Sequence, residues 1–220
     1  MSPGLDAETA VCYNRVKRGE RAMYCILIAG MPATGKTRFA HWLGRRRGIP
    51  CVSKDELKEI LFDEVGFRSR AEKVKLGVAA MRMMYAFAEA HLQLGQPVIL
   101  ENNFEDVSKP ELEALLARYG CRAVTVRFDG DVEAIYRRFV ERDTSPTRHR
   151  GHVVNTCYPE TGAPEAHRPL TLAQFAESAE SRGFRRFDVG GPLIQVDCTD
   201  FARVDYEAID AVIDRALEAM

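Results

Sequence analysis

The stretch Gly30-Met31-Pro32-Ala33-Thr34-Gly35-Lys36-Thr37 fits the pattern G-x-x-x-x-G-K-[ST] at every fixed position. An apolar run at residues 24–29 stands directly before it, and a helical pattern, Lys36–Arg47, begins within it. Glycines let the backbone curl so that successive N–H groups point at phosphate oxygens, beside a helix N-terminus with partial positive charge. In this pattern Lys36 reaches the β- and γ-phosphates, and the Thr37 hydroxyl coordinates Mg²⁺. The alternative, a chance glycine turn before a helix, explains fewer of these features, so we expect residues 30–37 to bind a nucleoside triphosphate.

Apolar runs and helical spacing continue along the rest of the chain. Short apolar runs predict further strands at residues 98–100, 123–128 and 193–197, with one more short strand within 48–52. Helical spacing predicts helices at residues 55–64, 71–94, 109–119, 132–142, 171–181 and 206–219. This alternation predicts an α/β fold in which one parallel sheet carries helices on both faces. We expect residues 1–220 to form a single domain.

Composition and charge narrow the class of protein. Apolar residues make up 46% of the chain and charged residues 29%, which is typical of a globular domain. The net charge of −1 argues against a protein that holds long nucleic acid by its phosphates. Residues 1–22 lack the apolar core of a signal peptide and are predicted to form a short lead-in helix, and no segment is apolar enough to cross a bilayer. We therefore expect a cytoplasmic protein with no membrane partner.

The six cysteines are scattered, without a Cys-x-x-Cys pair. Because there is no export signal, disulfides are not expected. Four cysteines lie within or beside predicted strands, where they are expected to be small buried apolar groups: Cys25, Cys51, Cys121 and Cys198.

Other motifs of nucleotide-binding proteins are missing from the sequence. It contains neither the Asn-Lys-x-Asp of a guanine-reading GTPase nor the Leu-Ser-Gly-Gly of a transporter ATPase. The residues that follow the next strands must therefore decide between nucleotide hydrolysis and phosphoryl transfer.

A carboxylate follows the short strand predicted within residues 48–52. We place Asp55 at the strand end, on the edge of the sheet where doubly wound folds bind ligands. There it could accept the proton of an attacking hydroxyl, as the general base of phosphoryl transfer. Alternatively, Ser53 or Asp55 only caps the helix that follows. The two interpretations are compatible, since one residue can serve both.

The next strand ends in Glu101-Asn102-Asn103. An acid at this position is expected to bind Mg²⁺ through water, and Asn103 to contact the substrate or a phosphate. Asp is usual there, however, and the longer Glu101 could orient water or substrate instead of the metal. The third alternative is a charged strand end that simply faces solvent.

Basic residues cluster where the helical pattern of 132–142 gives way to an irregular segment. Arg138 and Arg142 lie four residues apart, on one helix face. Arginines that close over transferring phosphate stabilise its charge, so we predict a catalytic role for both. Arg148 and His152 follow and are expected to contact the acceptor, within a lid and acceptor-binding insertion at residues 143–192. The alternative is a solvated basic helix with a mobile loop.

Two further patterns have simple structural interpretations. In residues 71–94, apolar side chains recur near helical spacing: Val74, Val78, Met81, Met84, Tyr85 and Ala88. Such a face could line a ligand pocket, but it is more often core. The run Arg45-Arg46-Arg47 is interpreted as a solvated helix end, favoured by the helix dipole.

Taken in order, these motifs resemble the P-loop kinases of the polynucleotide-kinase and zeta-toxin type. The series comprises Gly30 to Thr37, Lys54-Asp55 with Lys58, residues 98–103, Arg138 with Arg142, and residues 196–201. The resemblance implies a three-layer P-loop NTPase sandwich with a five-stranded parallel sheet and a lid, acting with ATP and Mg²⁺. It implies that Asp55 is the base, that Lys58 contacts the substrate, and that residues 198–201, including Thr199, Asp200 and Phe201, border the adenine.

Acceptors within this group vary widely, so three functions are weighed. The first is an ATP-dependent phosphotransferase acting on a hydroxyl of a small molecule or nucleoside-like acceptor. The second is a polynucleotide 5′-hydroxyl kinase, which the near-neutral net charge disfavours. The third is a switch that binds ATP without transferring phosphate.

Overall fold

The apolar runs of the sequence form one parallel five-stranded sheet in this computed structural model, which describes residues 23–220. The predicted lead-in helix and Cys12 lie outside the described residues. The strand order is β2-β3-β1-β4-β5, and every pairing is parallel. The strands are β1 (Tyr24–Gly30), β2 (Cys51–Ser53), β3 (Val98–Glu101), β4 (Arg122–Asp129) and β5 (Leu193–Asp197). The α/β class and the sheet predicted from the sequence are confirmed.

Helices cover both faces of the sheet. They are α1 (Lys36–Arg47), α2 (Lys54–Val65), α3 (Arg70–Gln93), α4 (Lys109–Arg118), α5 (Val132–Thr144), α6 (Arg150–Val153), α7 (Leu172–Arg182) and α8 (Tyr206–Glu218), with 3₁₀ turns at Asp106–Ser108 and Phe201–Arg203. Alternation along β1 divides the core, since neighbouring side chains of a strand point to opposite faces. Ile26 and Ile28 pack with α1, α5, α7 and α8, whereas Cys25 and Leu27 pack with α3 and α4.

The register of the sheet brings three strand ends together. Glu101 of β3 lies opposite Ser53 of β2 on one side and Ile28 of β1 on the other. The strand β1 is central, between β3 and β4. The loop that follows β1 therefore lies at the point from which the connections between strands run to opposite sides of the sheet. This is the position at which doubly wound sheets bind ligands.

The basic run at the end of α1 is not simply solvated, which corrects the sequence interpretation. Arg46 Nε donates to Asp210 Oδ2 at 2.7 Å, and Arg47 Nε donates to Asp210 Oδ1 at 2.6 Å. Arg47 also pairs with Asp214 at 2.8 Å. Because Asp210 is buried, its polar oxygens are satisfied by these two partners. The pairs tie α1 to α8.

The four cysteines of the predicted core are free thiols; Cys25, Cys121 and Cys198 are buried, and Cys51 is partly buried. The irregular segment contains the four-residue helix α6, which was not predicted because a single turn carries no periodicity. Within residues 23–220, none of the helices combines the length and the apolar character that a membrane span requires.

Candidate active site

Residues 30–37 form a loop whose shape depends on its glycines. The backbone φ of Gly30 is 115°, and a Cβ there would lie 2.0 Å from the carbonyl oxygen of Phe128. Gly35, with φ of 83°, turns the chain into α1. Within residues 23–220, the N–H groups of residues 33–37 donate to no protein acceptor. A row of free amides at the N-terminus of a twelve-residue helix fits phosphate oxygens.

Lys36 lies under this loop as a buried cation. Its ammonium and the Thr34 hydroxyl both donate to the carbonyl oxygen of Met31. Burial lowers the pKa of Lys36 to about 8, although the nearby carboxylates of Glu101 and Asp55 oppose the shift. At neutral pH the side chain is therefore charged and close to where a phosphate would lie.

Glu101 is buried against the start of α1. Its Oε2 accepts from Ser53 Oγ at 2.6 Å and from Thr37 Oγ1 at 3.1 Å. Burial raises the pKa of Glu101, and the charge of Lys36 opposes the rise. Of the roles predicted for Glu101, its contact with the Thr37 hydroxyl favours the binding of Mg²⁺. Hydroxyl and carboxylate oxygens are the ligands that Mg²⁺ prefers.

No larger metal site is available among the described residues. Nowhere in 23–220 do three His, Cys, Asp or Glu side chains converge on one metal position. A Mg²⁺ ion would therefore depend on Thr37, on Glu101 through water, and on phosphate oxygens. Such sparse protein ligation is usual for Mg²⁺ in nucleotide sites.

Asp55 lies in the first turn of α2, two residues beyond the strand end at which the sequence placed it. The Ser53 side chain caps no helix amide, since its hydroxyl donates to Glu101 instead. Burial alone raises the pKa of Asp55, but nearby positive charges outweigh it and hold the pKa at about 2. The groups responsible, in decreasing order, are His152, Lys54, Lys58 and Arg148. Asp55 is thus ionised at every physiological pH.

One cleft of about 1680 Å³ joins these groups. Its walls are residues 32–37 of the phosphate loop (residues 30–37), the first turns of α2, the N-terminal half of α3, and the irregular segment with α7. Most predicted site residues line it, including Asp55, Lys58, Glu101, Asn103, Arg138, Arg142, Arg148, His152 and Phe201. The structure thus brings these residues to one cleft, and the binding of an acceptor there stays a prediction.

Thr199 and Asp200 do not line the cleft. The Thr199 hydroxyl donates to Asp197 Oδ1 at 2.6 Å, and Asp200 caps the 3₁₀ turn by accepting from the amide of Ala202. Their side chains therefore shape the loop that carries Phe201, and their predicted contact with the adenine stays a prediction.

The two predicted catalytic arginines have different surroundings. Arg138 donates to the carbonyl oxygens of Cys198, at 2.7 Å, and Thr199, and its guanidinium lies 3.9 Å from the centre of the Phe201 ring. These contacts hold Arg138 at the side of the cleft, where its guanidinium is placed to stack on a flat ring. Among residues 23–220, Arg142 forms an ion pair only with its neighbour Asp143, at 3.0 Å, so of the two arginines it is the one with fewer contacts to hold it.

The irregular segment is fixed to α2 and α3 by charged side chains. His152 Nε2 lies 2.8 Å from Glu59 Oε1, and burial lowers the pKa of His152. Lys73, a buried lysine of α3, donates from Nζ to the carbonyl oxygens of His152, at 2.7 Å, and Val154. Sequence reasoning missed Lys73, because a lysine in an amphipathic helix looks like an exposed residue.

A small apolar core lies beneath the same segment. Phe62, Phe67, Val153 and Val154 pack together, with Tyr158 at the edge. Gly151 approaches Phe62 so closely that a Cβ would lie 2.3 Å from the ring. We call residues 148–158 the docked segment, because they are held by this core and by Lys73.

The apolar face of α3 serves two purposes, which corrects the preference for a purely core role. Met84, Tyr85 and Ala88 are buried in the core. Nearer the N-terminus, Val74 and Val78 remain 55% and 43% exposed, and both line the cleft together with Met81. These apolar groups form an apolar wall of the cleft.

Comparisons with known proteins agree with this architecture. The AAA domain family matches residues 25–156. An inferred kinase from Chloroflexus aurantiacus J-10-fl is 28% identical, with a TM-score of 0.71 over 91% of this chain and 99% of that one. A gluconokinase from Sinorhizobium meliloti 1021 is 13% identical, with a TM-score of 0.52 over 91% and 94%. The second similarity shows the fold alone, and no curated protein matches the chain.

Proposed function

The chain belongs to the AAA domain family, and from that premise we propose that it is an ATP-dependent phosphotransferase that moves the γ-phosphoryl group to a hydroxyl of a small molecule. The observation that carries the proposal is Asp55, an ionised carboxylate that shares one cleft with the free amides of the phosphate loop. Similarity to an inferred kinase over nearly the whole chain supports it. The narrower resemblance to the polynucleotide-kinase and zeta-toxin type stays a prediction, as does the cytoplasmic location.

In the proposed reaction the acceptor hydroxyl oxygen attacks the γ-phosphorus. The bond from this phosphorus to the β–γ bridging oxygen breaks, and its electron pair leaves with ADP. The hydroxyl proton passes to the Asp55 carboxylate. Because the pKa of Asp55 is about 2, it is a weak base that accepts the proton late, and its main contribution is to orient the hydroxyl.

The remaining residues hold the phosphates and their charge. The amides of residues 33–37 and the Lys36 ammonium would bind the β- and γ-phosphates, and Arg142 would close over the transferring group. Arg138 and Phe201 would hold the adenine ring of ATP. Thr37 and Glu101 would hold Mg²⁺, which, when bound, neutralises phosphate charge.

Two substitutions test the proposal. Asp55→Asn is expected to bind ATP within about threefold of the wild type but to lose roughly 10²- to 10⁴-fold in transfer, the range of a positioned base. Lys36→Ala is expected to impair both phosphate positioning and transfer. Transfer is measured with γ-labelled ATP against sugars, hydroxy acids, nucleosides, antibiotics and 5′-hydroxyl oligonucleotides.

The outcomes separate the alternatives. Normal transfer by Asp55→Asn would remove Asp55 from the mechanism. Tight ATP binding with no labelled product from any acceptor would favour the nucleotide switch. Labelling of oligonucleotides alone, with a steep salt dependence, would favour the polynucleotide kinase.

A further inference from the structure

The cleft has a strong positive charge that the rest of the chain does not share. Eleven of its lining residues are Lys or Arg and six are Asp or Glu, whereas the whole chain has a net charge of −1. A nucleoside triphosphate with one Mg²⁺ brings roughly two net negative charges. The cleft therefore keeps an excess of positive charge after the nucleotide of the proposed function is in place.

Part of this positive charge lies around Asp55, whose carboxylate is close to Lys54, Lys58 and Arg148. Several cations of the cleft already have partners: Arg182 pairs with Glu105, and Lys73 donates to backbone carbonyl oxygens. Lys58 differs, because among residues 23–220 its Nζ finds neither a hydrogen-bond acceptor nor a carboxylate within ion-pair distance; its nearest aromatic contact is the Phe62 ring, at 5.2 Å. Lys54, one turn earlier on α2, adds a second positive charge beside it.

The position of Lys58 relative to Asp55 is fixed by the helix. Residues three apart on a helix are neighbours, about 5–6 Å between Cβ atoms, and both of these side chains face the cleft. Gly77 of α3 lies beside the lysine, since a Cβ there would be in ordinary van der Waals contact with Lys58 Cε, at 3.5 Å. Burial and the charge of Lys54 lower the pKa of Lys58 to about 8, so it is mostly protonated at pH 7.

We infer that the acceptor is a small hydroxylated anion, carrying a carboxylate or phosphate group that Lys58 binds about one helical turn from the hydroxyl that Asp55 orients. The inference rests on the proposed function for the role of Asp55. A free cation that is partly removed from water is stabilised by an anionic partner. The apolar wall of Val74, Val78 and Met81 would contact the carbon skeleton.

A small anion fits better than a nucleic acid strand. Nucleic acid follows a continuous basic surface, and this chain is slightly acidic overall. The positive charge is confined to the cleft, and the docked segment closes one side of it. One charged group beside the reacting hydroxyl is therefore the favoured arrangement.

Anion binding can be tested without knowing the acceptor. The protein is first saturated with Mg²⁺ and a non-hydrolysable ATP analogue, which fills the nucleotide phosphate positions, and is then titrated with inorganic phosphate or with malonate by calorimetry. We expect wild-type protein to bind at least one of these anions, and the preferred anion tells whether phosphate or carboxylate is recognised. Lys58→Met should weaken that binding at least tenfold.

Two variants control for folding and for general charge. Lys58→Arg keeps the positive charge and should bind the anion within about threefold of the wild type. Lys75→Met removes an exposed lysine of α3 that does not line the cleft, and should leave binding unchanged. Wild-type affinity should fall above pH 8 more steeply than that of Lys58→Arg, because the charge at position 58 is then lost only in the wild type. No anion binding by wild-type protein, or equal binding by Lys58→Met, would overturn the inference.

Turnover separates this inference from the proposed function. Matched pairs of acceptors are compared: gluconate with sorbitol, glycerate with glycerol, and a nucleoside 3′-phosphate with its nucleoside. We expect kcat/KM to be at least tenfold higher for the charged member of any pair that reacts, and Lys58→Met to abolish that preference mainly through KM. Equal use of both members would overturn the anionic acceptor while the kinase stands, whereas absence of transfer together with normal anion binding would count against the kinase alone.

Discussion

The phosphate loop and the docked segment face each other across one cleft, but they are built by different means. Backbone geometry shapes the loop, through the positive φ of Gly30 and Gly35 and a row of free amides. Side chains from other elements hold the docked segment, chiefly Lys73 on its carbonyl oxygens and Phe62 beneath Gly151. The first region should therefore be sensitive to any added Cβ, and the second to the loss of partners far away in sequence.

Gly30→Ala should have the largest effect on stability, because it strains the backbone of the phosphate loop. The new Cβ would meet the Phe128 carbonyl oxygen at 2.0 Å, in a φ region that strains side chains. Strain and overpacking together should cost about 4 kcal/mol, or roughly 10 °C in Tm. Calorimetry checks this.

The matched control is Gly48→Ala. Gly48 also has a positive φ, of 62°, but no atom lies within 4 Å of its Cβ position. Strain alone should cost about 1 kcal/mol. Equal losses for the two variants would show that the close approach to Phe128 does not matter.

Gly151→Ala should have a smaller effect, confined to the docked segment. Its Cβ would press on the buried Phe62 ring, at a cost of about 1–3 kcal/mol. We expect amide exchange to rise roughly tenfold in residues 148–158 with little change in the phosphate loop. KM for the acceptor should rise while KM for ATP stays constant. Phe62→Leu in the same chain should restore part of the loss, and a uniform rise in exchange would contradict the division into two regions.

Lys73→Met should loosen the same segment by removing its donor. The carbonyl oxygens of His152 and Val154 would lose a hydrogen bond, for which we expect about 1–2 kcal/mol. Lys75→Met, an exposed neighbour on α3, is the control and should cost nearly nothing. Hydrogen exchange of residues 150–156 distinguishes the two. Wild-type protection in Lys73→Met would show that the apolar core alone holds the segment.

The smallest effect expected is a pH dependence that separates the two sides of the cleft. Lys36 must be protonated to bind phosphate, and its pKa is about 8, so kcat/KM for ATP should fall as pH rises through 8. Asp55, with a pKa of about 2, should cause no loss on the acid side down to about pH 4. Initial rates from pH 4 to 10 check both limbs. A fall in rate below about pH 6 that is shown to come from Asp55 would contradict the claim that nearby positive charges lower its pKa.

The sequence predicted the backbone-built region well. The phosphate loop, the strand before it and the helix Lys36–Arg47 are local in sequence, and their residue types are dictated by φ angles and by phosphate chemistry. The residue at the end of β3, Glu101, was also found, because parallel strands end at one edge of the sheet. Local rules were sufficient there.

The contacts between distant elements could not be predicted. The sequence around Arg47 does not indicate that Asp210 is its partner. In the same way, the sequence around Lys73 does not indicate the carbonyl oxygens that it binds some 80 residues later. Such partners are chosen by tertiary packing, which leaves no periodic signal in one sequence. The resemblance implied that Lys58 contacts the substrate, but only the structure shows that Lys58 lines the cleft and has no anionic partner among residues 23–220.

The attachment of the docked segment has a consequence for how this fold could change its substrate. Lys73 binds main-chain oxygens, which every residue type offers, so its grip does not depend on which side chains residues 152 and 154 carry. Mutations there can alter the surface presented to the acceptor while the anchorage persists. Acceptor selectivity could therefore change without loss of the folded structure of this segment. Residues 152 and 154 are accordingly suitable positions to randomise when new acceptors are sought.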